Sequence, residues 1–259
     1  YGTSSKDYLD DVAFKVKVVA RHTVVLDENS TEAPSEAGDV NVLVLRTIKA
    51  GEWNTIVLPF SATGEQLKTA FGEDVELAAF TAWESEEDDE GAIVAINVEF
   101  SNADVDDGIE ANVPMLIKVS ETHTTAAFYG VTLEPDDEPV VQVGKKASQR
   151  GYFYGTYIPM LVPEEHIFLS GNKFWYSTGK TTIKGYRGYF EFRDVLDAYY
   201  DVALVKFNFF MDGTATAIQG IIPSVYDGAV YDLSGRRMKQ PAQRGVYIFN
   251  GRKTLVIKP

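Results

Sequence analysis

Apolar and polar residues alternate along much of this 259-residue chain, and a period of two residues is typical of β-strands. In residues 12–26, for example, Val12, Phe14 and Val16 share one face, while Lys15 and Lys17 lie on the other. The sequence predicts further strands at residues 40–49, 51–60, 75–83, 92–100, 113–120, 125–133, 152–157, 166–169, 173–177, 181–193 and 203–211. This density of short strands separated by turn residues predicts an all-β protein with sandwich-like units.

The stretch at residues 51–60, GEWNTIVLPF, differs because apolar side chains occupy both of its faces. A strand of this kind is expected to be covered on both sides. Thr63 and Gln66 then predict a capping box, and the helical apolar spacing that follows stops at Gly72. The sequence favours a core strand with one short helix that closes the end of a sandwich. The alternative is a ligand-binding edge beside Trp53.

Charge and composition divide the chain into three predicted segments. Residues 1–139 carry 8 Lys and Arg against 29 Asp and Glu, whereas residues 140–259 carry 16 against 9. Two prolines and four acids in residues 134–139 predict a linker between them. We expect an acidic β-sandwich domain up to residue 139, an aromatic-rich β domain at 140–222 and a three-stranded tail at 223–259. Alternatively, the first two units share one extended sheet.

Composition excludes several classes of function. The net charge of −14, concentrated in the first half, argues against nucleic acid as a partner. The sequence has no cysteine, which excludes disulfides, thiolate metal sites and cysteine nucleophiles. No apolar run approaches the ~20 residues of a transmembrane helix. The polar start shows no signal peptide, as expected of a cytosolic chain or of one that begins after processing.

Catalytic motifs are also missing from the sequence. The three histidines, His22, His123 and His166, lack the spacing of a zinc site, and there is no GxSxG, P-loop or GxGxxG motif. Paired carboxylates for glycoside cleavage remain an enzymatic hypothesis, but 38 acidic residues make such pairs inevitable. We therefore expect no catalytic residues and no cofactor.

One acidic segment has some of the spacing of a calcium loop. In residues 102–108, NADVDDG, the oxygen-bearing side chains of Asn102, Asp104 and Asp106 alternate. The turn glycine, however, comes one residue late, and Val113 stands where a bidentate acid is needed. The sequence favours an Asx-type turn here, with a calcium site as the weaker alternative.

Aromatic residues concentrate in residues 140–222, which hold 17 of the 32 Phe, Tyr and Trp in the chain. Most are expected to face inward between two β-layers. Four outward candidates predict a stacking platform for the apolar face of a sugar ring: Trp175, Tyr189, Tyr199 and Tyr200. In the competing interpretation, these side chains cover the sheet against the neighbouring unit.

Two sets of segments carry a family resemblance. The tail contains VYDLSGRR at 230–237, RGVYI at 244–248, NGRK at 250–253 and LVIK at 255–258. In this order they resemble the C-terminal sorting domain of type IX (Por) secretion in Bacteroidetes. Residues 47–60, with Phe-Gly at 71–72, look like a motif that recurs in large secreted proteins of the same bacteria, and so do residues 155–157, 174–177 and 183–190.

The resemblance implies a secreted or cell-surface, β-rich protein and supplies no catalytic residues. We therefore expect a non-enzymatic adhesion, structural or interaction protein, whose partner is a glycan or a host or bacterial surface protein. A carbohydrate-binding module is the alternative, and a glycoside hydrolase or lyase is the second alternative.

Overall fold

The structure, a computed structural model, describes residues 21–87, 89, 93–144, 150–192, 205–219, 230–234, 236–238, 245–249 and 252–256. Within these residues the chain is all-β, as predicted: twenty strands, numbered here in chain order, accompany one α-helix and one 3-10 turn. The strands form sheets of three, six and five strands, a two-stranded ribbon and a four-stranded tail sheet.

The first sheet has three strands in the order β1-β2-β7. They are β1 (Thr23–Asp27), β2 (Ala37–Ile48) and β7 (His123–Leu133). Strand β1 runs parallel to β2, and β2 pairs antiparallel with β7. Every second residue of β2 from Val40 to Ile48 is buried, and all of them except Arg46 are apolar. The alternation in the sequence therefore marks the side of β2 that faces inward.

The middle sheet has six strands in the order β16-β15-β5-β4-β6-β3. They are β3 (Asn54–Ile56), β4 (Glu76–Glu87), β5 (Ile93–Ala103), β6 (Met115–Lys118), β15 (Lys206–Met211) and β16 (Thr214–Gln219). The strands predicted at residues 75–83 and 92–100 form the antiparallel pair β4–β5, and β15 pairs with β5 in parallel. This sheet therefore joins strands from both sides of residue 139.

The outer sheet has five strands in the order β12-β11-β14-β9-β8. They are β8 (Val140–Val143), β9 (Gly151–Thr156), β11 (Ile167–Ser170), β12 (Lys173–Tyr176) and β14 (Arg187–Glu191). The β11–β12 turn is formed by Gly171 and Asn172, both with positive φ, which matches the twist of a two-residue hairpin.

The prediction of one continuous strand at residues 181–193 is wrong. Tyr186 adopts a φ of 59°, and this left-handed residue separates β13 (Thr182–Ile183) from β14. Strand β13 pairs instead with β10 (Met160–Leu161) in the two-stranded ribbon.

Two apolar cores lie on the two faces of the middle sheet. One contains inward side chains of the first sheet, and the other contains inward side chains of the outer sheet. In strand β4, Leu77 belongs to the first core and its neighbour Ala78 to the second. The second core also joins Phe100 to Phe190 at a ring-centroid distance of 5.8 Å. Residues before and after position 139 thus build one core.

The helix α1 (Gly64–Phe71) confirms the capping prediction. The Gln66 backbone N–H donates to the Thr63 hydroxyl at 3.3 Å, and Gln66 Oε1 accepts from the Thr63 N–H at 3.0 Å. Leu67 and Phe71 are buried in the first core, so the helix closes one end of it. The preceding strand prediction was too long, because β3 ends at Ile56 and residues 57–60 continue as buried, non-strand chain.

The tail contains four strands rather than the three predicted. They are β17 (Val230–Tyr231), β18 (Arg237–Met238), β19 (Gly245–Phe249) and β20 (Arg252–Val256), in the order β18-β17-β19-β20. A strand as short as β18 is too brief to show a period of two, which is why the sequence pattern missed it. Among the residues described, no helix has the length and apolar character to cross a membrane.

Candidate functional site

A row of aromatic side chains crosses the solvent-facing side of the outer sheet. The strand register places Trp175 opposite Phe168, Phe168 opposite Tyr189, and Tyr189 opposite Tyr154. All four residues are half-buried. Three strand spacings separate the ends of this row, or about 14 Å. The structure thus brings Trp175 and Tyr189 to one face with a single strand between them, whereas Tyr199 and Tyr200 lie outside the described residues.

The tyrosines of this row stack on each other instead of forming a fully open platform. The rings of Tyr154 and Tyr189 are 5.3 Å apart and inclined by 21°, and Tyr152 stacks on Tyr154 at 5.7 Å. Each ring therefore covers part of its neighbour's face. At the other end of the row, the Trp175 indole N–H donates to the Ser170 carbonyl oxygen at 3.0 Å, which fixes the indole beside its own hairpin turn.

A groove of about 560 Å³ opens beside the tyrosine stack. Its volume lies within the usual range of small-molecule sites. Tyr154 and Tyr189 line it together with the acidic segment 135–139 and the pair Ala33–Pro34, which belongs to the loop between β1 and β2. Four chain segments that are separated in sequence therefore meet at one surface. We call this space the tyrosine groove.

The acidic wall of the tyrosine groove is held in place by Asn112. The side-chain N–H of Asn112 donates to the Glu134 carbonyl at 2.7 Å, and its Oδ1 accepts from the Asp136 N–H at 3.0 Å and from the Tyr157 hydroxyl. The Gly155 N–H donates to the Pro139 carbonyl at 2.7 Å. The segment predicted as a linker is therefore anchored at both ends, and it presents its carboxylates to solvent.

Those carboxylates belong to Asp136, Asp137 and Glu138, and all three residues are exposed. Asp136 also accepts the backbone N–H of Glu138 at 3.1 Å. Exposed carboxylates beside aromatic rings can accept hydrogen bonds from ligand hydroxyl or ammonium groups, while the ring edges contact apolar atoms. The groove therefore offers both kinds of contact within one volume.

A partly buried polar network lies beside the tyrosine groove. The Tyr154 hydroxyl donates to Glu191 Oε2 at 3.0 Å, and His166 Nε2 lies 3.7 Å from the same oxygen. Burial raises the pKa of Tyr154 well above its ordinary value, and the bond to Glu191 raises it further. The hydrogen bond to Glu191 holds the Tyr154 ring at a fixed angle beside the groove.

The three calcium candidates do not converge on a common point. The Asn102 amide donates to Asp212 Oδ2 at 2.6 Å, the Asp104 carboxylate accepts from the Asp106 N–H at 2.9 Å, and Asp106 pairs with Lys68. Asp104 caps the 3-10 turn Val105–Asp107, which confirms the Asx-type turn. Across the described part of the chain, no three His, Asp or Glu side chains are grouped as metal ligands would be.

The candidate edge at Trp53 is partly closed. Its ring packs against the second core, and Lys118 Nζ lies 5.6 Å from the ring centroid. The Trp53 backbone N–H donates to Asn172 Oδ1 at 2.7 Å, which ties this residue to the β11–β12 turn.

Sequence reasoning missed several residues of the tyrosine groove. Alternation within residues 152–157 contains a usable signal, because Tyr152 and Tyr154 fall on the face opposite the buried Phe153. No local signal identifies Asn112, whose partners lie more than twenty residues away along the chain.

Comparisons with known proteins give no relative for this chain: no family model, curated protein or solved structure matches it.

Proposed function

We propose that this chain is a non-enzymatic, secreted or cell-surface binding protein that holds a glycan in the tyrosine groove. The supporting observation is the groove itself, in which tyrosine rings and exposed carboxylates line one open volume. Sugar rings present both apolar C–H faces and hydroxyl donors, so both lining types have a counterpart on such a ligand.

The aromatic row extends this site beyond the groove. From Tyr154 it continues through Tyr189 and Phe168 to Trp175, across about 14 Å of sheet. An oligosaccharide that begins in the groove would cross the strands and reach Trp175 with its far end. Longer ligands should therefore gain from Trp175, whereas short ligands should not contact it.

The placement of the carboxylates favours binding over glycoside cleavage. Cleavage requires two carboxyl groups on opposite sides of the scissile bond. In the tyrosine groove, the acidic lining residues Asp136, Asp137 and Glu138 belong to one continuous segment. The other described residues that line the groove include no aspartate or glutamate, so a second carboxyl group on another segment is lacking.

The location outside the cytoplasm is supported by the tail, whose residues resemble a type IX sorting domain. Adhesion to a glycan-bearing host or bacterial surface is the role that these features favour. A surface protein is the other partner class, and it would dock on the exposed acidic wall without any requirement for a sugar.

A glycan array probed with the purified full-length protein tests the proposal, followed by calorimetry on any glycan that binds. We expect Asp137→Asn together with Glu138→Gln to weaken binding about tenfold or more, since hydrogen bonds to charged groups contribute roughly 1.5–3 kcal/mol each. Trp175→Ala should weaken binding of long oligosaccharides only.

Tyr129→Ala provides the matched control, because Tyr129 is 63% exposed and lies on the first sheet, away from the groove. Circular dichroism would establish that each variant is folded. An array without any bound glycan, or glycan binding that all groove variants leave unchanged, would refute the proposal.

A further inference from the structure

A second, smaller cavity lies away from the tyrosine groove, between the residues around β3 and the outer sheet. Its volume is about 170 Å³, and its charged lining residues are Glu28, Lys49, Glu52, Lys184 and Arg187. We propose that this cavity binds a small oxyanion, either a carboxylate or a phosphate-type group. We call it the cationic pocket.

Glu28 is the first part of the argument, because it is buried between two cations. Its side chain is 6% exposed, with Lys184 Nζ 2.8 Å from Oε1 and Arg187 Nη2 2.6 Å from Oε2. Burial alone would raise the pKa of Glu28, but the hydrogen bond from Lys184 and the charge of Arg187 outweigh it and lower the pKa. One ionised carboxylate therefore faces two cations.

Arg46 adds a further positive charge behind the cationic pocket. The residue is 3% exposed, and its guanidinium donates to the carbonyl oxygens of Tyr186 and Thr55, while its buried Nε has no hydrogen-bond partner among the described residues. Burial and the nearby charge of Arg187 lower the pKa of Arg46. Carbonyl groups are neutral, so these bonds orient the guanidinium without balancing its charge.

The local charge is thus positive in a protein whose net charge is −14. Lys49, Lys184 and Arg187 exceed the carboxylates of Glu28 and Glu52 by one charge, and Arg46 adds one more. Arg46 is the buried member of this set, and a buried cation is costly unless counter-charges are present. An anion in the cationic pocket would supply that counter-charge.

The cations remain able to reach a ligand. The Lys184 side chain is 50% exposed and that of Arg187 is 26% exposed, so solvent reaches both. An ammonium carries three N–H donors and a guanidinium five, which leaves donors beyond those used on Glu28. The small volume suits a single oxyanion group and excludes the oligosaccharide proposed for the tyrosine groove.

Isothermal calorimetry at constant ionic strength tests the proposal on the full-length protein, with sodium phosphate and sodium acetate as separate probes and chloride as the reference anion. We expect saturable binding of at least one probe, and the comparison distinguishes a phosphate-type from a carboxylate site. Lys49→Met should weaken binding about fivefold, the effect of one unit charge a few ångströms away in water. Glu52→Gln should strengthen it by a similar factor.

Lys49 and Glu52 suit this test because neither pairs with Glu28, so both substitutions leave that buried ion pair intact. Lys68→Met is the matched control, since Lys68 pairs with Asp106 beside α1, outside the cationic pocket. Neither probe binding more tightly than chloride would overturn the proposal. Phosphate and acetate affinities that are the same in the Lys49→Met and Glu52→Gln variants as in the parent would also overturn it. This outcome does not depend on the result for glycans.

Discussion

The shared second core leads to a specific prediction about Phe190. This side chain is fully buried, stacks on Phe153 at 4.3 Å and contacts Phe80, Phe100 and Phe174 at 5.6–5.8 Å. Phe80 and Phe100 precede residue 139, whereas the others follow it. Phe190→Ala should therefore weaken the packing of both halves of the chain together.

The magnitude follows from the contacts that are lost. Large-to-small changes at buried phenylalanines cost about 3–5 kcal/mol, and four ring contacts place Phe190 toward the upper end of that range. A urea slope of about 3 kcal/mol per M would turn a loss of ~4 kcal/mol into a midpoint shift of somewhat more than 1 M. Phe190→Leu removes less volume and should give a smaller shift in the same direction.

Tryptophan fluorescence provides a reporter in each half of the chain. One background keeps only Trp53, through Trp83→Phe and Trp175→Phe, and the other keeps only Trp175. Because one core joins the halves, Phe190→Ala should lower the urea midpoint equally for both reporters. Tyr129→Ala, a change at an exposed aromatic residue, should change the free energy of unfolding that each reporter gives by no more than about 0.5 kcal/mol.

A shift seen by Trp175 but not by Trp53 would refute this reasoning. It would mean that residues 1–139 remain folded when the outer sheet loses its packing. The middle sheet would then keep its structure without the contribution of β15, contrary to the pairing of β15 with β5.

Two further predictions concern single side chains. Thr63→Ala should destabilise the protein by about 1 kcal/mol in urea titrations, because the capping box of α1 is lost; an unchanged midpoint would contradict this. Glu28→Gln should be destabilising at pH 7, because the lowered pKa of Glu28 means that its ionised form stabilises the fold. Protonation removes this stabilisation, so the difference in stability between the variant and the parent should shrink as the pH falls below the ordinary glutamate pKa of 4.5. Urea midpoints at several pH values measure this gap, which should stay constant only if Glu28 does not contribute through its charge.

Short-range patterns were reliable where a few neighbouring residues decide the outcome. Thr63 and Gln66 satisfy each other's backbone groups within one turn, so the start of α1 follows from sequence alone. Gly171 and Asn172 take the positive φ of a hairpin turn for an equally local reason. The break at Tyr186 was not foreseen, because a left-handed φ at a bulky residue depends on surrounding contacts such as the bond from Arg46.

The candidate sites, in contrast, could not be predicted from local sequence patterns. Period-two alternation placed Trp175 and Tyr189 on the outward face, yet it carried no information about which rings stack on each other. The tyrosine groove requires the segments near residues 33, 136 and 154 to meet, and the cationic pocket joins Glu28 to Arg187. Such pairings are set by sheet order and register, which local sequence does not encode.

By itself, then, the sequence determined that this protein is built from strands, where its helix begins, and which side of most strands faces inward. Each of these depends on backbone geometry and on the separation of apolar from polar side chains over a few residues. Only the tertiary structure decided that one middle sheet is covered on both faces and that distant charged and aromatic residues share a surface. The physical reason is that every apolar face must be buried, but any other apolar face of suitable shape can cover it. The pattern of one strand therefore does not specify its partner.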